Sequence, residues 1–231
     1  MPVDDANTVA LLHMDGADAS TTFTDESGKT WTAGGNAQID TAQYKFGGAS
    51  GLFDGSGDYI DTPDSADFHV SNEDFTIDMW IRPAALNQIG FICAQADSGG
   101  ADASISWYMR MQADESIIAG IVSGGTLYEA AIAANSYAAN TWGHLALIRY
   151  SNTIKLFWNG TAGATTANVT GVTANNSTNK PTIGRLGEYN GHYYSGWIDE
   201  FRFSKGIARW TANFTPPTLS YQPTGNFLAF F

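Results

Sequence analysis

Apolar and polar residues alternate with a period of two along most of the chain, the spacing that lines one face of an extended strand. In Phe75-Thr76-Ile77-Asp78-Met79-Trp80-Ile81-Arg82, the residues Phe75, Ile77, Met79 and Ile81 share one face and Thr76, Asp78, Trp80 and Arg82 the other, and Pro83 stops the run. The pattern predicts a strand with a core side and a wetter side. Residues 142–150 and 154–158, parted by Ser151-Asn152 and closed by Asn159-Gly160, predict a hairpin. Further strands are expected over 9–14, 59–62, 90–95, 105–111, 117–122, 127–132, 182–186 and 197–203.

Helical signals are sparse. Residues 130–139 are Ala-rich, but Asn135 and Ser136 interrupt them and no amphipathic stripe runs through, so one turn is the most expected there, with another over 206–210. Many short strands separated by Gly, Asn, Asp and Ser argue for an all-β, two-sheet antiparallel sandwich rather than a parallel α/β fold. No shift of composition divides the chain, so residues 1–231 read as a single domain. A proline-bearing extended segment, 216–223, leads to a last apolar stretch, 227–231.

Composition agrees with a globular chain: 231 residues, 43% hydrophobic, with 7 Trp, suffice for a large core, and no apolar run is long enough to span a bilayer. Charge narrows the partners. With 11 basic and 23 acidic side chains, the net charge of −12 repels phosphate backbones and anionic headgroups, which speaks against nucleic acid and membrane surfaces. The acids are mostly Asp, which suits turns and also oxygen-ligated cations. Cys93, inside Phe91-Ile92-Cys93, has no partner for an internal disulfide and is expected to pack in the core. The N-terminus has no basic stretch followed by an apolar one, so no signal peptide is visible.

Motifs for common chemistry are missing. Gly28-Lys29-Thr30 ends like a phosphate loop, but Phe23 stands where that pattern needs its first Gly. No G-x-S-x-G, H-E-x-x-H or C-x-x-C occurs. The loop Glu188-Tyr189-Asn190-Gly191-His192-Tyr193-Tyr194 combines aromatic rings, which stack on sugar C–H faces, with side chains that bond hydroxyls. Tyr189, Asn190, His192 and Tyr193 are therefore the candidate ligand-binding residues, with Trp107, Tyr108 and Tyr128 as weaker ones. Trp80, Trp142, Trp158 and Trp197 are expected to fill the core. Asp54, Asp58, Asp61, Asp64 and Asp67 lack the Gly and Glu of a calcium-binding loop and read as turn residues.

Several blocks carry a family resemblance in order along the chain. Phe53-Asp54-Gly55-Ser56-Gly57-Asp58-Tyr59-Ile60, then Phe75 to Pro83, then Trp142-Gly143-His144-Leu145-Ala146 through Trp158-Asn159-Gly160, then Gly196-Trp197-Ile198-Asp199-Glu200-Phe201-Arg202 resemble laminin-G-like domains of the concanavalin A-like lectin/glucanase superfamily. The resemblance implies a jelly-roll sandwich. It also implies a calcium ion held by Asp199, with Gly48 and the stretch His13 to Asp15 beside it; His13 and Asp15 are thus candidate metal neighbours. Residues 11–16 and 204–217 are similar to versions in tailed-phage structural proteins, which implies an extracellular or virion-surface location without a signal peptide.

Glucanases of that superfamily place two Glu on one strand as nucleophile and acid. No two of the six Glu here lie close in sequence, and Asp199 and Glu200, as strand neighbours, are expected to face opposite ways. The reading is a protein that is not an enzyme: a glycan- or polysaccharide-binding adhesion module, with a structural virion domain bound to other virion proteins as the alternative and a glycoside hydrolase as a lesser one.

Overall fold

The computed structural model describes residues 5–97 and 104–222, so the apolar stretch 227–231 lies outside the described residues. In chain order the strands are β1 (Thr8–Leu12), β2 (Thr32–Gly34), β3 (Gln38–Asp40), β4 (Ser50–Asp54), β5 (Tyr59–Asp61), β6 (Phe75–Pro83), β7 (Gly90–Ala96) and β8 (Ile105–Met111). They continue with β9 (Ile117–Ser123), β10 (Thr126–Ile132), β11 (Gly143–Tyr150), β12 (Thr153–Trp158), β13 (Thr161–Ala162), β14 (Ala167–Asn168), β15 (Pro181–Ile183) and β16 (Ser195–Lys205). Each strand expected from the alternation is present. The strands β2, β3, β4, β13 and β14 were not expected; all but the five-residue β4 have only two or three residues, too few to display a period.

The strands form two antiparallel sheets, confirming the all-β sandwich. One has nine strands, on the path β13-β12-β11-β6-β16-β4-β3 with β1 on β16 and β14 on β12; the other has seven, ordered β10-β9-β8-β7-β15-β5-β2. Facing side chains of both sheets, among them Phe75, Ile77, Met79 and Ile81 of β6 and Trp107, Met109 and Met111 of β8, make one buried cluster. Cys93 lies in it. A 3-10 turn, Ala66–Phe68, precedes β6. The turns expected over 130–139 and 206–210 are not helical; β10 occupies the start of the first, and the second is irregular.

The wetter side of β6 is a second correction. Thr76, Asp78 and Trp80 are buried: residues 206–222 cross the outer face of the nine-stranded sheet as a strap over Thr76 and Asp78, while Lys45 and Phe46 cover Trp80. Trp210 and Phe214 of the strap pack on the outward residues Ala146, Ile148 and Phe157. Its end is pinned by Tyr221, whose N–H donates to Glu200 Oε2 (2.7 Å) and whose hydroxyl donates to Asp78. Arg202 forks onto the same carboxylate at 3.0 and 3.1 Å, and His144 Nε2 lies 3.4 Å from it. The tryptophans are redistributed accordingly. Trp31 and Trp107 are in the core, Trp80 is buried on the outer face under Lys45, and Trp197 is half-buried beneath Arg82.

Candidate functional site

The loop joining β15 to β16 carries all four candidate ligand-binding residues. It is pinned at its ends: Tyr194 N–H donates to Gly184 O (2.9 Å) and Phe91 N–H to His192 O (2.8 Å), while Leu186 and Tyr194 are buried. Between these anchors Tyr189, Asn190 and His192 are exposed, Tyr189 to 37%. The Tyr189 and His192 rings stack, centroids 6.1 Å apart and 20° from parallel. Tyr193 OH donates to Asn190 Oδ1 at 3.1 Å. Gly191 is required by this arrangement, since a Cβ there would stand 2.9 Å from the Tyr189 ring. The result is a preformed surface with one aromatic face and several hydroxyl-matching groups. Of the weaker candidates, Trp107 and Tyr108 are buried and Tyr128 packs partly on the core.

The second candidate site arises at an irregularity of β16. Along β6 the pairing runs Ile198↔Ile81 and Asp199↔Trp80, then resumes at Arg202↔Asp78, so three residues of β16 oppose two of β6. The extra residue is a β-bulge, with Glu200 in the left-handed region at φ +53. Ile198, Phe201 and Phe203 face the core, so Asp199 and Glu200 both project from the outer face. The expectation that they face opposite ways is thus overturned. On its other edge β16 pairs with β4 before the bulge and with β1 after it, so both acids stand where one partner strand gives way to the next.

Asp199 there receives the N–H groups of Lys45 (2.7 Å) and Phe46 (3.0 Å) on Oδ2. Its Oδ1 is buried with no hydrogen-bond partner among the described residues. Burial pushes its pKa up to about 8 against the pull of those two N–H groups, and the charges of Glu200 and Asp15 add to the rise. Asp15 lies against the same loop: burial raises its pKa, His13 and the Ala49 N–H lower it, and Gly47, at φ +64, leaves room for the carboxylate that a Cβ would overlap. Asp15 is exposed, which opens the cluster to solvent. Gly48, the residue named by the resemblance, borders open space. His13 turns away from Asp199, its Nδ1 2.8 Å from Glu200 Oε1; the Glu200–His13 pair was missed because only the bulge brings it about.

Among the described residues no three His, Cys, Asp or Glu side chains form a metal-holding group. A cation here would take main-chain carbonyls besides Asp199 and Asp15. The Asp54 to Asp67 cluster divides: Asp54 and Asp58 cap turns through the N–H groups of Ser56 and Asp54, Asp61 meets Lys180 at 3.0 Å, and Asp64 and Asp67 line a cleft beyond the end of β5.

The two-sheet antiparallel sandwich is of the concanavalin A-like type. The family model Laminin_G_3, described as the concanavalin A-like lectin/glucanases superfamily, matches residues 54–209, well over half of the chain, and the chain belongs to that family. No curated protein matches it significantly. Among solved structures it is similar to the binding domain of Paraclostridial Mosquitocidal Protein 1 (17% identity, TM-score 0.66, 88% of this chain and 50% of that one). It is also similar to the receptor binding domain of botulinum neurotoxin C/D mosaic serotype (13%, 0.65, 87% and 49%) and to the botulinum serotype D ligand binding domain in complex with N-acetylneuraminic acid (14%, 0.63, 87% and 48%). The chain spans about half the length of these structures, and at such identities the likeness establishes the fold. Among the described residues no helix is long and apolar enough to cross a membrane.

Proposed function

We propose that the chain is a non-catalytic carbohydrate-binding module that acts in adhesion outside a cell. The observation that carries this reading is the exposed Tyr189–His192 stack with Asn190 and Tyr193 beside it, on a loop whose ends are fixed before any ligand arrives. A fixed platform loses little freedom on binding, so its contacts count more fully toward affinity. The solved structures of the same fold are binding domains, one with N-acetylneuraminic acid, which favours the same class. Against catalysis stands the placement of Asp199, the carboxyl best fitted to hold a proton near neutrality, which is wholly buried. The likeness of residues 11–16 and 204–217 to tailed-phage structural proteins supports a virion surface as the setting, with other virion proteins as neighbours.

Calcium belongs to the proposal as a structural ion. The buried Oδ1 of Asp199, which has no hydrogen-bond partner among the described residues, and the exposed Asp15 carboxylate are the oxygens that would be offered to a hard cation. Bound there, the ion would neutralise the two acids and tie loop 43–49 to β16.

The test is an array of bacterial and algal glycans probed with the wild type and with Tyr189→Ala, in calcium and in EDTA. Saturable binding to one sugar class, weakened at least about tenfold by Tyr189→Ala, is expected. A blank array from folded protein would reject the glycan reading and leave the structural virion domain.

A further inference from the structure

Beyond the end of β5 lies a cleft of about 290 Å³, lined by Lys29, Thr30, Thr62, Asp64, Ser65 and Asp67 beside Pro63. Its walls come from two segments distant in sequence, joined by the Lys29–Asp67 ion pair at 2.8 Å. They are fixed in place. Asp64 is held by Gln95 Nε2 at 2.8 Å, and Gln95 also donates to Ser177 O and Asn179 O. The 3-10 turn is held by Lys205 Nζ on Ala66 O (2.7 Å), and the Lys29 ammonium rests 5.6 Å above the buried Phe68 ring. Ser65 Oγ is buried with no partner among the described residues.

We propose that this cleft is a second ligand site, specific for a single neutral sugar residue. The proposal rests on the carbohydrate reading of the protein but not on the Tyr189 loop. The volume is at the small end of the range for small-molecule sites, which matches one ring rather than a chain. Its lining alternates carboxylate acceptors, an ammonium donor and hydroxyls that serve as either, the complement of vicinal sugar hydroxyls. Asp64 and Asp67 outnumber the one cation, which disfavours an anionic ligand. No aromatic ring lines the cleft, which disfavours a flat heterocycle.

The test is a titration of the isotope-labelled protein followed by amide NMR, with methyl glucoside, methyl galactoside, methyl mannoside and methyl N-acetylglucosaminide as probes and methyl N-acetylneuraminide as the anionic control. Shifts of amides 29–30 and 62–67 with at least one neutral probe are expected. Lys29→Met, which keeps the packing on Phe68, and Asp67→Asn should each weaken them about tenfold, with unchanged melting temperature. Silence of these amides with all four neutral probes overturns the proposal, as does undiminished binding in both variants or equal binding of the anionic control. Amides 188–194 are read in the same spectra. Shifts at the cleft alone would uphold the cleft and refute the loop; shifts at the loop alone would do the reverse.

Discussion

At the scale of single residues, Asp199 and Asp78 show how the same side chain acquires opposite properties within one sheet. Both are wholly buried on its outer face. Asp199 has two backbone N–H donors and no cation, and burial raises its pKa to about 8. For Asp78 burial also acts upward, but the Arg202 charge and the His144 bond outweigh it and hold the pKa at about 2. Two predictions follow from this contrast. Calcium should raise the melting temperature of the wild type relative to EDTA, as any ligand bound only to the native state does, and Asp199→Asn should abolish the difference; equal wild-type values in both buffers would remove calcium from the account. The Asp78 carboxyl, followed by its ¹³C resonance, should titrate near 2. Because this lies below the ordinary value of 3.8, its contribution to stability is present above about pH 4 and lost as pH falls toward 2. A midpoint at 3.8 would mean that the Arg202 fork is not maintained in solution.

At the scale of elements, the bulge in β16 and the strap over β6 and β11 do most to shape the outer face. The bulge turns two adjacent acids to one side, where regular alternation would send Glu200 into the core. The strap then meets Glu200 through the backbone of Tyr221 and Asp78 through its hydroxyl. Tyr221→Phe removes the hydroxyl and leaves the ring stacked on Arg202, whose guanidinium lies 3.9 Å from the ring centre. Loss of the buried bond to the Asp78 carboxylate, together with the contact to His144 Nε2 at 3.3 Å, should destabilise the fold by about 1.5–3 kcal/mol, measured by chemical denaturation. A change within the error of that measurement would show that the strap does not depend on the Tyr221 hydroxyl.

At the scale of the whole molecule, side chains of both sheets share one buried cluster, and the strap links the last described residues to the central strands. Unfolding should therefore be a single transition, coincident by near-ultraviolet and far-ultraviolet circular dichroism. Two separated transitions would contradict the reading of residues 1–231 as one domain. The two proposed ligand sites share no lining residue, and each stands on loops that the sandwich holds in place.

The sequence by itself determined the long strands and which of their faces meet. Alternation such as that of Phe75, Ile77, Met79 and Ile81 records a choice between oil and water that each residue makes locally, and that choice survives whatever the neighbouring strands are. It also marked the Tyr189 loop, because aromatics in a Gly-containing polar segment have no strand face on which to hide. Only the tertiary structure decided what lies on the outer face. Period two cannot tell a polar side chain in water from Asp78 paired with Arg202 beneath a strap more than a hundred residues away in sequence. Nor can it announce the extra residue that sets Asp199 and Glu200 side by side. The cleft between Lys29 and Asp67 was hidden for the same reason: its walls lie 38 positions apart in sequence, and contact between distant segments leaves no period in the chain.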